Sequence, residues 1–543
     1  MNQVTHGILT DQRHFASVVY RGGPVYTANP ANETASAVAL RGDRILAVGD
    51  VSDILHLVGP ATEVVDLAGN SILPGLIDAH SHISGHGQDL AALDCKHGVS
   101  STAGIVAKVR SVATGLPPGA WIVGRGYDQK KLTEGRHPER SDLDAATTVH
   151  PVVLTRTCGH IIACNSLALS LAGITAAIPD PVGGAIARDA RGVPTGILME
   201  YACAPVRALL VPELAELRDA YIAACRDYVA HGITSSHDAS GYSPDQIRTM
   251  VEAHLSGAAA LRTYMMLRFG VAGSAGDAAM AAGTISRLGG HDIRIGPLKV
   301  MVDGSSSGPT AATRRPYASQ PDSSGILYFT GAQLDGLVAA GARAGFQVTS
   351  HCVGDRAVEM MLHAFAASEP DPSGRRHRIE HCAMLDPDLV QEILRLGVIP
   401  VANPCFLWEF GDGYVRDYGP ERAAWMFPLR SLLDAGIPVA AGSDAPVTYV
   451  NPFLGIYCAM TRRTMRGTVV GPEQAISFAE ALRIYTINGA RASYEEDAKG
   501  SIEPGKLADL TIIEGDPSRM TPEQIKDIKV LQTVIGGKVV YQG

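Results

Sequence analysis

The chain has 543 residues, 46% of them hydrophobic and 19% charged, with 46 Lys and Arg against 55 Asp and Glu for a formal net charge of −9. This balance excludes a disordered chain and leaves no basic footprint for nucleic acid and no polybasic patch for a membrane surface. Glycine, at 58 residues, exceeds an ordinary usage of roughly 7% without a Gly-X-Y repeat or a Gly/Ser linker, so collagen and low complexity are excluded too.

Taken in chain order, the runs at 17–27, 37–40, 44–48 and 63–66 read as short strands broken by Gly-Gly, Arg-Gly-Asp-Arg and Ala-Gly-Asn turns. From about 75 to 490, strand-like runs alternate with helical ones. The strand-like runs lie at 151–155, 232–236, 261–267, 296–302, 345–350, 376–380, 397–402 and 437–442, and helical candidates at 213–229, 332–344, 355–366, 388–396 and 478–491. Several strands begin just after a glycine (Gly232, Gly345, Gly397, Gly436), the residue that ends a helix in the left-handed region. Strand-like runs at 510–513 and 530–541, the latter turning at Gly536-Gly537, close the chain. The alternation predicts an α/β fold, a (β/α)8 TIM-like barrel over 75–490 with insertions around 85–230. The two β-rich ends, 1–74 and 491–543, predict one small shared β domain. A doubly wound open sheet is the rival, weakened by the lack of a Gly-x-Gly-x-x-Gly after a strand.

Nine scattered cysteines without a Cys-x-x-Cys pair point to a reducing compartment. The polar start, MNQVTHGILTDQRHF, carries no apolar signal core, and no run of about 18 apolar residues follows, so a cytoplasmic location is expected.

The apolar run at 71–82 ends in Asp-Ala-His-Ser-His. Residues two apart on a strand share a face, so His80 and His82 project together and offer half a metal site. Later strand-like runs end in His351, His381 and Asp444. In a barrel the C-terminal strand ends converge on one face, where active sites sit. Lys299 lies inside the apolar run PLKVMVDG, where an unpaired ammonium is costly. Its neutral amine can react with carbon dioxide to give a carbamate that bridges two cations. Asp303 and Glu200 are alternative bridging carboxylates.

These residues, together with GRGYDQ, GHIIACNSLAL, PTGILME, HGITSSHDA, KVMVDGSSSG, HCVGDRAV, RIEHC, GSDAPV and GSIEPGKLADLTII, resemble the metal-dependent amidohydrolase superfamily, and within it the YtcJ-like branch that includes N-substituted formamide deformylases. The resemblance spans essentially the whole chain. It implies a barrel with a small β-sandwich from both termini. It implies two Zn2+ ions, with His80 and His82 on the more buried one, His351 and His381 on the other, and a carboxylated Lys299 between them. A single-metal site with an unmodified lysine is the alternative. Asp444 would bind metal and act as base, forming the catalytic set with His351 and His381. Asp128, His160, His237, Asn403 and Trp408 are candidates for substrate contact. Cys352 and Cys382, each next to a ligand histidine, are expected to be buried and inert.

The expected activity is hydrolysis of the C–N bond of a small N-acyl or N-formyl amine by a homo-oligomer, taken as a dimer. Hydrolysis of a cyclic amide, carbamate or ester, and a non-catalytic amidohydrolase-like scaffold, are the alternatives.

Overall fold

The computed structural model describes residues 15–543 apart from 158, 160, 182, 183, 211 and 242. Eight strands form its central sheet: β1 (Leu76–Ser81), β2 (Ile233–Gly241), β3 (Arg262–Arg268), β4 (Ile293–Met301), β5 (Val348–Cys352), β6 (Arg378–His381), β7 (Ile399–Ala402) and β8 (Ala440–Ala441). Each pairs in parallel with its predecessor, in chain order. The gap between β8 and β1 is bridged by the segment after β8, where the Asp444 backbone N–H donates to the His80 carbonyl at 2.8 Å. The result is the nearly closed parallel barrel predicted from the alternation.

Helices cover the outside of the strands, among them Leu214–Ala230, Gly331–Arg343, Asp355–Ser368 and Pro387–Leu396. Their boundaries follow local chemistry. Thr330 caps the second of these reciprocally with Gln333, and proline opens the fourth. The four glycines expected to end helices have φ between 63° and 85°. The helix expected over 478–491 is instead two, Phe478–Ile484 and Ile487–Ala492. The Tyr485 carbonyl between them accepts the Ile77 backbone N–H at 2.6 Å, so it serves the barrel rather than the helix.

Between β1 and β2 the chain builds a separate six-strand sheet from residues 93–200. The strand-like run at 151–155 belongs here and is not one of the barrel's eight. Strands from both ends of the chain share one further sheet, in which Leu510–Ile513 pairs antiparallel with Ser71–Pro74. Val38, Ile72, Ile512 and Val534 meet in one apolar cluster of that sheet. Among the described residues, no helix is long and apolar enough to cross a membrane.

Candidate metal centre

Strand alternation on β1 sends Asp78 and His80 into the barrel, while Ser81 turns away to meet Ser236 Oγ at 2.7 Å. His82 follows the strand, and Asp238 fixes the backbone just after it by accepting the Ile83 N–H at 3.0 Å. Asp444 arrives from the far side of the seam with φ 56°, a conformation rare for a non-glycine residue. Its Oδ1 lies 3.2 Å from Nε2 of both His80 and His82. The approach requires a bare backbone at Gly442, where a Cβ would fall 2.4 Å from the His80 nitrogen. Asp78 ties the same seam, accepting the Ser443 N–H at 3.0 Å and the Ser443 hydroxyl at 2.5 Å. Burial pushes the Asp78 carboxyl up to about 6.

A buried polar chain supports His80 from below. Its Nδ1 sits 2.5 Å from Glu380 Oε2. Glu380 in turn accepts from Arg378 at 2.9 and 3.0 Å and from the Thr349 hydroxyl at 2.5 Å. Burial raises the Glu380 carboxyl, but Arg378 and His80 outweigh it and hold it well below the usual range. Arg378 also donates to His237 Nδ1 at 2.9 Å, which leaves the proton of neutral His237 on Nε2, an atom without a hydrogen-bond partner among the described residues. Burial and the Arg378 charge keep His237 neutral.

Lys299 Nζ is 3.3 Å from His80 Nε2. Burial lowers its ammonium to about 8, against the pull of Glu380 and Asp444. His381 stands beside both neighbours, with ring centroids 4.8 Å from His80 and 4.5 Å from His351. Its φ of 67° breaks the alternation of β6, so Glu380 and His381 both serve the site although adjacent in sequence. His381 Nδ1 donates to Asn403 Oδ1 at 2.9 Å, and the Asn403 amide donates to the Gly442 carbonyl at 3.0 Å. His351 Nε2 donates to the Gly304 carbonyl at 3.0 Å. Burial lowers both, His351 to about 3 and His381 well below its ordinary value, so both are neutral.

The donor set fits a cation. His80, His82 and Asp444 present three ligand atoms within 4.8 Å of one another. Asp444 Oδ1 is buried and accepts no hydrogen bond of good geometry among the described residues, an expensive state for a carboxylate oxygen that no cation reaches. Burial raises the Asp444 carboxyl, but His80 and His82 outweigh it, and it stays ionised. Glu380 stands on the far nitrogen of His80, the place where the histidines of metal sites usually carry a carboxylate.

The other predicted residues divide. Asn403 is buried, with its side chain engaged by His381 and the Gly442 carbonyl. His237 lies in the barrel interior on Arg378. Asp128 pairs with Arg156 at 3.0 Å in the inserted sheet. Trp408, on the helix Cys405–Tyr418, borders a cavity of about 670 Å³ together with Pro446, Val447 and Thr448, which follow Asp444. His160 lies outside the described residues. Asp303 accepts three backbone N–H groups, from Ala312, Val353 and Gly354, and Glu200 is exposed; neither belongs to the three-ligand cluster. Cys352 and Cys382 are buried, and burial raises both thiols. Sequence reasoning missed Arg378, Glu380 and Asp78. Their signal was the spacing: Asp-x-His-x-His running off the end of β1, and Arg-x-Glu just ahead of His381.

The sequence model of the amidohydrolase family matches residues 63–541. YtcJ of Bacillus subtilis (strain 168) is 30% identical over 533 residues, covering 96% of this chain and 99% of its own. An N-substituted formamide deformylase of Arthrobacter pascens is 30% identical over 532 residues, covering 95% and 97%. The crystal structure of an uncharacterized metal-dependent hydrolase from Pyrococcus furiosus superposes with a TM-score of 0.76 at 27% identity, covering 92% of this chain and 99% of that one. Matched by that family model from residue 63 to 541 and folded as a nearly closed parallel barrel, the chain belongs to the amidohydrolase family.

Proposed function

We propose that this protein is a zinc-dependent hydrolase that cleaves the C–N bond of a small N-acyl or N-formyl amine. The observation that carries this reading is the buried Asp444 Oδ1, set 3.2 Å from two histidine nitrogens. Likeness to a formamide deformylase over nearly the whole chain supports the choice of bond.

His80, His82 and Asp444 would hold one cation, and His351 with His381 a second. A cation held there supplies Lewis acidity toward the carbonyl oxygen and eases deprotonation of water. Lys299, carboxylated, would bridge the pair: its neutral Nζ adds to carbon dioxide and releases a proton, leaving an anionic carbamate. The lowered Lys299 pKa favours that neutral amine. Asp444 takes the proton of the attacking water as its oxygen bonds to the carbonyl carbon. Asp444 then passes the proton to the nitrogen as the C–N bond breaks, releasing a carboxylic acid and an amine.

The test is to strip the protein with a chelator, reload it with zinc, and assay it on N-formyl and N-acyl amines. Amine release that disappears on stripping and returns on reloading is expected. Turnover unaffected by stripping, or confined to substrates without an amide, would overturn the proposal.

A further inference from the structure

The cavity of about 670 Å³, bordered by Pro446, Val447 and Thr448 just after Asp444, has the size of a small-molecule site. One wall is the inserted sheet, and the other is the segment that follows Asp444, from Pro446 to Asn451. Trp408, Tyr449 and Leu454 make much of its surface apolar. Among the described residues, four Lys and Arg side chains border it: Lys96, Arg125, Arg156 and Lys526. Three are engaged by carboxylates, Arg125 by Asp89 at 2.9 Å, Arg156 by Asp128 at 3.0 Å and Lys526 by Asp527 at 2.6 Å.

Lys96 differs. Its ammonium lies 4.0 Å from the centre of the Tyr449 ring and has no ion pair or hydrogen bond among the described residues. The acids around it are committed elsewhere. Glu409 binds Lys131 at 2.7 Å, and Asp94 binds His97 at 3.0 Å and the Lys96 backbone N–H at 2.7 Å. A half-buried cation against an aromatic ring, bordering a partly apolar cavity without a direct ion pair although Glu409, Asp89 and Asp94 lie near enough to act on its charge, is a place for the anion of a ligand.

We infer that Lys96 is a specificity-determining residue that receives an anionic group, a carboxylate in the simplest case, on the substrate whose amide is cleaved at the adjoining centre. The inference rests on the hydrolase reading above and narrows it to amides that carry a negative charge remote from the scissile bond. The apolar wall suits an aromatic or aliphatic spacer between the two.

Two matched probes test this: N-formyl-para-(aminomethyl)benzoate and the neutral N-formyl-para-(aminomethyl)benzamide. With zinc-loaded protein, kcat/KM should favour the carboxylate by about tenfold or more, the size of one charge-assisted contact. Lys96→Met should abolish that preference, and Lys96→Arg should retain most of it. Equal kcat/KM for the two probes in the wild type, or a preference that survives Lys96→Met, would overturn the inference. If neither probe is hydrolysed, the hydrolase reading fails for formamides and calorimetric titration of the same two compounds decides the role of Lys96. Tighter binding of the carboxylate that Lys96→Met removes supports the inference. Equal affinities, or no binding of either, refute it.

Discussion

Glu380 Oε2 lies 2.5 Å from His80 Nδ1, and this contact decides which nitrogen of the imidazole faces Asp444. With Nδ1 engaged by the carboxylate, Nε2 is the atom left to point at Asp444 and Lys299. Glu380→Gln keeps the shape but removes the charge that steadies both His80 and Arg378. It should lower zinc affinity by about 10–100-fold, measured by competition with a chromophoric chelator. Wild-type affinity in this variant would show that Glu380 does not tune the ligand.

Asp444 is expected to move the proton as well as to meet the cation. Asp444→Asn should keep bound zinc, read by elemental analysis, while kcat falls by about 100-fold or more. An unchanged kcat would remove Asp444 from the proton path.

The ammonium of Lys299 is lowered from near 10.5 to about 8, chiefly by burial. Between these values the unfolded chain keeps a proton that the folded, metal-free protein has lost. Stability therefore rises with pH across that window, by about 3 kcal/mol for the full shift, and through this group does not vary with pH below about 8. Lys299→Met should flatten the rise in urea titrations of metal-free protein between pH 8 and 10. Parallel profiles for the two proteins would contradict a lowered lysine.

Gly442→Ala places a methyl group 2.4 Å from the His80 backbone nitrogen, and the atom it meets cannot swing aside. The variant should lose roughly 1–3 kcal/mol of stability by overpacking and bind zinc more weakly, because the seam that holds Asp444 against His80 must open. Wild-type stability together with wild-type zinc affinity would show that the seam has slack.

Much of this architecture is legible in the amino-acid sequence. Four of the eight barrel strands announce themselves as apolar runs after helix-ending glycines, and His80, His82, His351, His381 and Asp444 all sit where apolar runs stop. The inserted sheet was harder to read because its strands are short; Leu93–Asp94 has two residues and Ile161–Cys164 four, too few to show a period. Arg378 and Glu380 were hidden for another reason. Two opposite charges two residues apart resemble an exposed strand end, and only burial reveals that they hold each other and His80. The positive φ of His381 likewise leaves no trace in composition, since it is imposed by the surroundings.

His80 stands on the first strand of the barrel and Asp444 just after the last, with the whole eight-strand circuit between them. The cluster they form with His82 therefore cannot assemble in a partly synthesised or partly folded chain, however well its early strands have formed. Loading with a cation would report that the circuit has been completed. Once bound, the cation would fasten the first strand to the last at the point where the ladder of strand pairs runs out, so that removing it should loosen the barrel from this seam first.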